Sequence, residues 1–243
     1  MQKLLSYGLT PLHYIAFTFF LLLFHPLQWL ASRFGYKAHK FVVDVLNACL
    51  ISTYYLLGNP VSFINHFNLP KNRSIIFIAN HQSLYDIPPL IWFLRKYHAK
   101  FISKIELTKG IPSISYNLKH GGGANINRKD PRQALTELAK LGTRMKENRW
   151  STVIFPEGTR SKDGVVRDFQ SAGVATLLKK CPEALLVPIV IRNSWKMVRF
   201  GTFPLGTFLK LEFEVLAMIE PEQSAEILVK HVEALIQKAL GQD

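Results

Sequence analysis

His81 and Asp86 stand five positions apart, directly after the short apolar run Ser-Ile-Ile-Phe-Ile-Ala. On a continuous helix their side chains would point roughly 140° apart, so they meet only where the chain turns, as it does between a strand and a helix. A carboxylate on one imidazole nitrogen fixes the tautomer and makes the other nitrogen a better base. The pair is therefore a candidate general base. The alternative is structural: in an isolated pair at this spacing, the aspartate is more often the N-cap of a helix, here one at Pro88, and the histidine is more often an ordinary loop residue.

A second polar segment, FPEGTRS at 155–161, also follows an apolar run. Glu157 and Arg160 need partners if they are buried, and the loop around Gly158 exposes backbone amides. The planar fork of an arginine suits a phosphate or a carboxylate. Arg128, after a glycine-rich stretch, and Lys104, at the end of another apolar run, are further candidate anion ligands. Each of these charges, taken alone, is more often a solvated surface group.

From residue 61 to the C-terminus, short β-rich runs alternate with amphipathic helices. This pattern predicts an α/β catalytic domain over 61–243, with a mixed, central β-sheet flanked by helices. Strands are predicted at 74–79, 100–104, 152–155, 185–191 and 208–218, with a short one after the glycine-rich stretch. Helices are predicted at 88–96, from Asp130 as N-cap with Leu135, Leu138, Leu141 and Met145 on one face, at 171–180 and at 224–240. Since the candidate residues follow predicted strands, we expect them at one edge of the sheet.

The first 60 residues are more apolar than the rest and contain two apolar segments, 14–31 and 41–57. A basic stretch, RFGYKAHK, separates the segments, and Pro26 is expected to kink the first. We predict a hydrophobic helical hairpin that lies in one membrane leaflet, with its Lys and Arg at the lipid phosphates. Two membrane spans are the alternative. A cleaved signal peptide is disfavoured because Trp29 falls where a small residue is expected.

The composition limits the class of function. The 243 residues carry 30 Lys and Arg against 17 Asp and Glu, a net charge of +13, yet 48% of residues are hydrophobic and only 19% charged. Disordered chains combine many charged residues with few apolar ones, so this composition disfavours a disordered chain. It equally disfavours a polar nucleic-acid-binding tail. Two cysteines and no Cys/His cluster predict neither a disulfide framework nor a structural metal site. The commonest serine-hydrolase, P-loop, zincin and dinucleotide signatures are also missing from the sequence. A basic, apolar chain suits an anionic membrane surface.

The sequence NHQSLYD at 80–86 resembles the N-H-x4-D block of the glycerolipid acyltransferases, and FPEGTRS resembles their third block. GGANINR at 122–128 is similar to the second block, and VPIV at 187–190 is similar to the fourth. The four blocks occur in the family's order between residues 74 and 192. The resemblance is strongest to bacterial 1-acyl-glycerol-3-phosphate acyltransferases, which share the length and the hydrophobic N-terminal helices.

The resemblance implies a mechanism in which His81 deprotonates the sn-2 hydroxyl of lysophosphatidic acid and Asp86 supports the imidazolium. The acyl donor would be acyl-CoA or acyl-carrier protein, with no metal or redox cofactor and no nucleic acid partner. The enzyme would work at the cytoplasmic face of a bacterial inner membrane. Arg128 and Arg160 would hold the phosphate and Glu157 would brace its loop. The full set of implied substrate-binding residues is Lys104, Arg128, Glu157, Gly158, Thr159 and Arg160.

Three segments depart from the family's usual pattern. The chain has FQSAG at 169–173 where phenylalanine-lysine-x-glycine is common, and the polar ANIN before Arg128. It also has the unfamiliar NSWK at 193–196. These departures leave a second acceptor class open, namely a lyso-ornithine lipid or a lysophospholipid. A third hypothesis, a non-enzymatic basic module that binds membrane or nucleic acid, gives no reason for a His-Asp pair beside an anion pocket.

Overall fold

The computed structural model describes residues 2–242, and its centre is a seven-stranded sheet in the order β1-β7-β6-β2-β5-β3-β4. Every neighbouring pair is parallel except β6 and β7. The strands are β1 (Val61–Ile64), β2 (Ile75–Ala79), β3 (Lys100–Lys104), β4 (Ala124–Ile126), β5 (Thr152–Ile154), β6 (Leu185–Arg192) and β7 (Leu211–Val215). The helices are α1 (Gln2–Ser32), α2 (Tyr36–Ser52), α3 (Ile87–Phe93), α4 (Ile114–His120), α5 (Pro131–Asn148), α6 (Ala172–Lys180) and α7 (Ala225–Leu240). The predicted mixed α/β fold is confirmed.

The central strands β2 and β6 are almost entirely buried, as continuous apolar runs are when helices cover both faces of a sheet. One face, with Phe77, packs against α3 and the end of the N-terminal hairpin. The other face, with Ile76, packs against α5, α6 and α7. The sheet is therefore held rigidly at its centre, next to the loops that follow β2, β5 and β6.

Several predicted boundaries are confirmed and others are wrong. Helix α5 begins as expected, because the Asp130 carboxylate accepts the backbone N–H of Gln133 at 3.0 Å. Leu135, predicted on its buried face, is exposed. The last strand is shorter than predicted, since Phe208 has φ 56°, outside the extended region. Strand β1 and helix α4 were not predicted.

The N-terminal hairpin consists of α1 and α2, joined by a turn in which Gly35 has φ +89°. Helix α1 runs from Gln2 to Ser32 as one helix with Pro26 inside it, and the kink expected at Pro26 stays a prediction. Two helices, Lys3–Ser32 and Tyr36–Leu57, are long and apolar enough to cross a membrane by length and composition. The predicted helical hairpin is thus present, and the division of the chain at residue 60 stays a prediction.

Helix α1 has an unusual distribution of polar side chains. Its buried stripe includes Ser6, Thr10, His13 and Gln28, and the His13 ring lies 3.1 Å from the carbonyl oxygen of Thr53. Its exposed side is apolar and includes Leu4, Leu12, Ile15, Phe19, Leu22, Trp29 and Leu30. Polar groups turned inward and apolar groups turned outward are typical of helices whose surroundings are lipid.

Candidate active site

The chain turns sharply between β2 and α3, and this turn brings His81 and Asp86 together. A single 3-10 turn, Leu84–Asp86, separates the strand from the helix. The Nδ1 atom of His81 lies 2.8 Å from Oδ2 of Asp86. The aspartate side chain is fully buried and the imidazole keeps 15% of its side-chain surface exposed. Because the carboxylate occupies Nδ1, Nε2 is the nitrogen that can take a proton from a substrate.

Asp86 stands at the N-cap position of α3, yet its side chain makes no capping hydrogen bond to that helix. Its Oδ2 atom instead accepts the backbone N–H groups of Gln82 at 2.7 Å and Ser83 at 2.9 Å. Its Oδ1 atom accepts the hydroxyl of Ser194. The carboxylate therefore points back into the loop that carries His81, which is the arrangement that a general-base pair needs.

The FPEGTRS segment at 155–161 makes hydrogen bonds to both backbone groups of His81. The N–H of His81 donates to Oε1 of Glu157 at 2.6 Å, and the His81 carbonyl accepts the N–H of Ser161 at 2.8 Å. The imidazole also stacks on Phe155, with ring centroids 4.1 Å apart. The loop after β5 thus fixes both the position and the tilt of the histidine.

Glu157 is buried and uses both carboxylate oxygens on backbone groups. Oε2 accepts the N–H of Arg167 at 3.1 Å, while Oε1 accepts that of His81. Burial raises the pKa of Glu157, and the two amide donors act in the opposite direction. These contacts fit the predicted bracing of the loop, and a part for Glu157 in substrate binding stays a prediction.

Gly158 forms the exposed tip of the same loop. Its N–H donates to the Phe155 carbonyl at 3.1 Å and its φ is +67°, a conformation that side chains rarely adopt. Thr159 and Arg160 follow it and are exposed. The turn therefore exposes these residues beside the edge of the sheet, and a ligand can reach them there.

Arg128 and Arg160 lie near each other at this edge. Partial burial, and next the positive charge of Arg160, lower the pKa of Arg128. Among residues 2–242, neither guanidinium forms an ion pair within 4 Å. The charge of Glu106 raises the pKa of Arg128 and so acts in the opposite direction. Two neighbouring guanidinium groups that form no close ion pair are suited to hold a phosphate.

The predicted residues follow four adjacent strands of the sheet. Lys104 ends β3 and is exposed, and its register partner on β4 is Ile126, two positions before Arg128. His81 follows β2, and FPEGTRS follows its neighbour β5. These strands are parallel, so their carboxyl ends meet at one edge of the sheet, where α/β folds commonly bind ligands. The predicted gathering at one edge is present, and each residue's role stays a prediction.

Three further contacts were not predicted. The Gln82 side-chain oxygen accepts the N–H of Ser194 at 3.0 Å, and the Asn80 amide bonds both backbone groups of Ile191. These bonds join the loop after β2 to the end of β6 and to the segment that follows it, and Ser194 lies 112 positions after Gln82. No sequence spacing encodes such a contact. The only signal was that NSWK at 193–196 departs from the family pattern.

The model of the Acyltransferase family matches residues 60–192, more than half of the chain and all four sequence blocks. The chain belongs to this family. A 1-acyl-sn-glycerol-3-phosphate acyltransferase of Borreliella burgdorferi is 31% identical over 183 residues, covering 70% of this chain and 71% of that one.

Plant relatives and a solved structure agree with this assignment. The chloroplastic 1-acyl-sn-glycerol-3-phosphate acyltransferase BAT2 of Brassica napus is 31% identical over 179 residues, 73% of this acyltransferase. The alignments span about half the length of this relative (49%) and of its Arabidopsis thaliana counterpart (48%). The crystal structure of the 1-acyl-sn-glycerophosphate (LPA) acyltransferase PlsC from Thermotoga maritima superposes with a TM-score of 0.78 at 25% identity. The superposition covers 100% of this chain and 97% of that one.

Proposed function

We propose that this acyltransferase transfers an acyl chain from acyl-CoA or acyl-carrier protein to the sn-2 hydroxyl of 1-acyl-glycerol-3-phosphate, forming phosphatidic acid. The observation that carries the proposal is the pair formed by His81 and the buried Asp86, with Nε2 left for a substrate hydroxyl. The names of the relatives support the choice of acceptor.

The proposed reaction needs one proton transfer in each direction. Nε2 of His81 takes the proton of the sn-2 hydroxyl, and the alkoxide oxygen forms a bond to the thioester carbonyl carbon. The tetrahedral intermediate collapses, the carbon–sulfur bond breaks, and the leaving thiolate takes the proton from the imidazolium. Asp86 stabilises the imidazolium between these steps. Atoms and charges balance with the two substrates alone, so the proposal includes no metal or redox cofactor.

The phosphate of the acceptor would bind Arg128 and Arg160, with Lys104 nearby. A charge-assisted bidentate hydrogen bond from a guanidinium is stronger and more directional than one between neutral groups. This arrangement would place the glycerol between the arginines and His81. A large part of the rate would then come from alignment of the two bound substrates, since a single proton-transfer group typically supplies about 10²–10⁴-fold.

The hairpin would seat the active site at the membrane surface, where the lysolipid and its product both partition. Support comes from the apolar exposed side of α1 and from the net charge of +13, which attracts anionic lipid. We place the protein at the cytoplasmic face of the membrane because acyl-CoA and acyl-carrier protein are cytoplasmic donors.

A panel of lysolipid acceptors offered with one labelled acyl donor tests this function. Lysophosphatidic acid should be the best acceptor, ahead of lysophospholipids and a lyso-ornithine lipid, which lacks the phosphate. Equal or faster transfer to a lyso-ornithine lipid would replace lysophosphatidic acid with that acceptor. Absence of transfer to every lysolipid would overturn the proposal.

The Arg160→Ala variant tests the phosphate site. It should raise KM for lysophosphatidic acid about 10- to 100-fold, as expected for a lost hydrogen bond to a charged group, and leave KM for the thioester within twofold. Arg160→Lys, which keeps the charge but not the planar fork, should have a KM between those of the wild type and Arg160→Ala. The matched acceptor is 1-acylglycerol, which lacks the phosphate. An equal rise in KM for both acceptors would remove Arg160 from the phosphate site.

A further inference from the structure

The carboxylate of Asp86 has two oxygen atoms, and only one of them faces His81. Oδ2 accepts three donors, namely the imidazole and the backbone N–H groups of Gln82 and Ser83. Oδ1 has one close donor, the hydroxyl of Ser194. Because the carboxylate is fully buried, water cannot replace a missing donor without a cost in free energy.

The hydroxyl of Ser83 is a weaker candidate for the same oxygen. It lies 3.5 Å from Oδ1 of Asp86, 3.2 Å from Oγ of Ser194, and accepts the N–H of Tyr85 at 3.1 Å. A hydroxyl has a single proton to donate. The hydrogen bond from Ser83 to Ser194 is the shorter of its two options, and it leaves the proton of Ser194 directed to Asp86.

Ser194 is itself held in place. It is fully buried, and its N–H donates to the Gln82 side-chain oxygen at 3.0 Å. The preceding residue, Asn193, has φ +70°, a left-handed conformation that asparagine tolerates better than most residues. The direction of the hydroxyl is therefore set by the backbone of the segment after β6.

We propose that Ser194 is a positioning residue of this active site: its hydroxyl fixes the plane of the Asp86 carboxylate, so that Oδ2 stays on Nδ1 of His81 and Nε2 stays free. The Cβ–Cγ torsion of an aspartate is soft, so a donor on Oδ1 adds to the three donors on Oδ2 in holding the plane of the carboxylate. Ser194 thereby links the carboxyl end of β6 to the general base. The kinetic part of the inference rests on the proposed function.

The test compares Ser194→Ala with Ser151→Ala in acyl transfer. Ser194→Ala should lower kcat about 10- to 100-fold, the loss expected for a hydrogen bond to a charged group, with KM for the acceptor unchanged within twofold. Ser151 is also a buried hydroxyl, but it accepts the N–H of Ile75 at the opposite end of β2. Its loss should reduce the urea midpoint of unfolding without lowering kcat. A Ser194→Ala enzyme with wild-type kcat would overturn the inference.

A double-mutant cycle separates positioning from general stability. In an Asp86→Asn background, Ser194→Ala should change kcat less than about twofold, because residues that act as a unit are not additive. A further loss of kcat in that background as large as the loss in the wild-type background would show that Ser194 acts independently of Asp86, and it would also overturn the inference.

The imidazole ring gives a readout that needs no substrate. In ¹⁵N NMR spectra, the wild-type His81 ring should show one tautomer with the proton on Nδ1, and Ser194→Ala should show a mixture. His81→Ala identifies the signals. An unchanged spectrum in Ser194→Ala would contradict the inference. If the wild-type protein transfers acyl chains to no acceptor, the proposed function fails, while these spectra still decide the role of Ser194.

Discussion

The hairpin α1–α2 and the central sheet place polar groups in opposite ways. In the sheet, β2 and β6 bury apolar side chains, and the polar residues of the site gather at the carboxyl ends of the strands. In α1, polar side chains such as Thr10 and His13 are buried while Leu12 and Phe19 are exposed. The contrast supports the proposal that lipid covers one side of the hairpin, since the sheet buries apolar side chains and α1 exposes them.

The buried polar groups of the two regions also do different work. In α1 they attach the helix to the rest of the molecule, since the Thr10 hydroxyl accepts the N–H of Leu205 at 2.9 Å. At the sheet edge the carboxylates of Asp86 and Glu157 hold the active-site loop by accepting the backbone N–H groups of residues 81–83. Chemistry and membrane attachment should therefore be separable by mutation.

The largest expected effect is on chemistry. His81→Ala should lower kcat about 10²–10⁴-fold, the usual contribution of a general base, while membrane binding stays at the wild-type level. The matched control is His231→Ala, which removes an exposed histidine of α7 far along the chain from the site. Steady-state kinetics and vesicle flotation measure the two properties. An active His81→Ala enzyme would show that the proposed base is wrong.

The sequence predicted the sheet edge well because strands and the loops after them are local patterns. Residues 80–86 and 155–161 became candidates from type and spacing and were assigned to the site by the resemblance of the four blocks, and both segments lie where a strand ends. The contacts of Ser194 and Gln82 could not be predicted, since they depend on how β6 is placed beside β2. The same limit applies to α1. Its hydropathy was evident from the sequence, but which of its polar side chains are buried depends on the elements that pack against it.

The next largest effect concerns the hairpin. Leu12→Lys places a charge on the exposed apolar side of α1 and should reduce partitioning into vesicles about 10-fold or more, from the lost burial of one leucine and the added charge. Ile227→Lys is the matched control, because Ile227 in α7 is 56% exposed and Leu12 is 55% exposed. It should leave partitioning unchanged.

Salt provides the second arm of this experiment. At about 1 M salt the screening length is only about 3 Å, so an attachment that is purely electrostatic is released. The wild-type protein should stay on the vesicles under these conditions. Clean release by salt, or equal loss of binding in Ile227→Lys, would contradict the distinction between the hairpin and the sheet.

Lys100 lies at the junction between the two regions. Its Nζ donates to the Gly121 carbonyl at 2.6 Å and to the Tyr36 hydroxyl of α2 at 3.0 Å, and it lies 4.2 Å from the ring centroid of Trp150. Burial, and next the charge of Lys40, lower the pKa of Lys100 to about 7. One strand, β3, therefore begins with this buried lysine and ends with the exposed Lys104.

The smallest predicted effect is the pH dependence that follows. The pKa of Lys100 is lowered in the folded protein from 10.5, so between about pH 7 and 10.5 the unfolded chain binds the extra proton. Stability from this group therefore rises with pH over that range. Relative to Lys100→Met, the wild-type free energy of unfolding should rise by about 2 kcal/mol between pH 7 and 9. Urea unfolding at several pH values measures it. Lys104→Met, which removes an exposed lysine of the same strand, is the control variant. A flat difference for Lys100→Met would mean that the buried amine keeps its ordinary pKa.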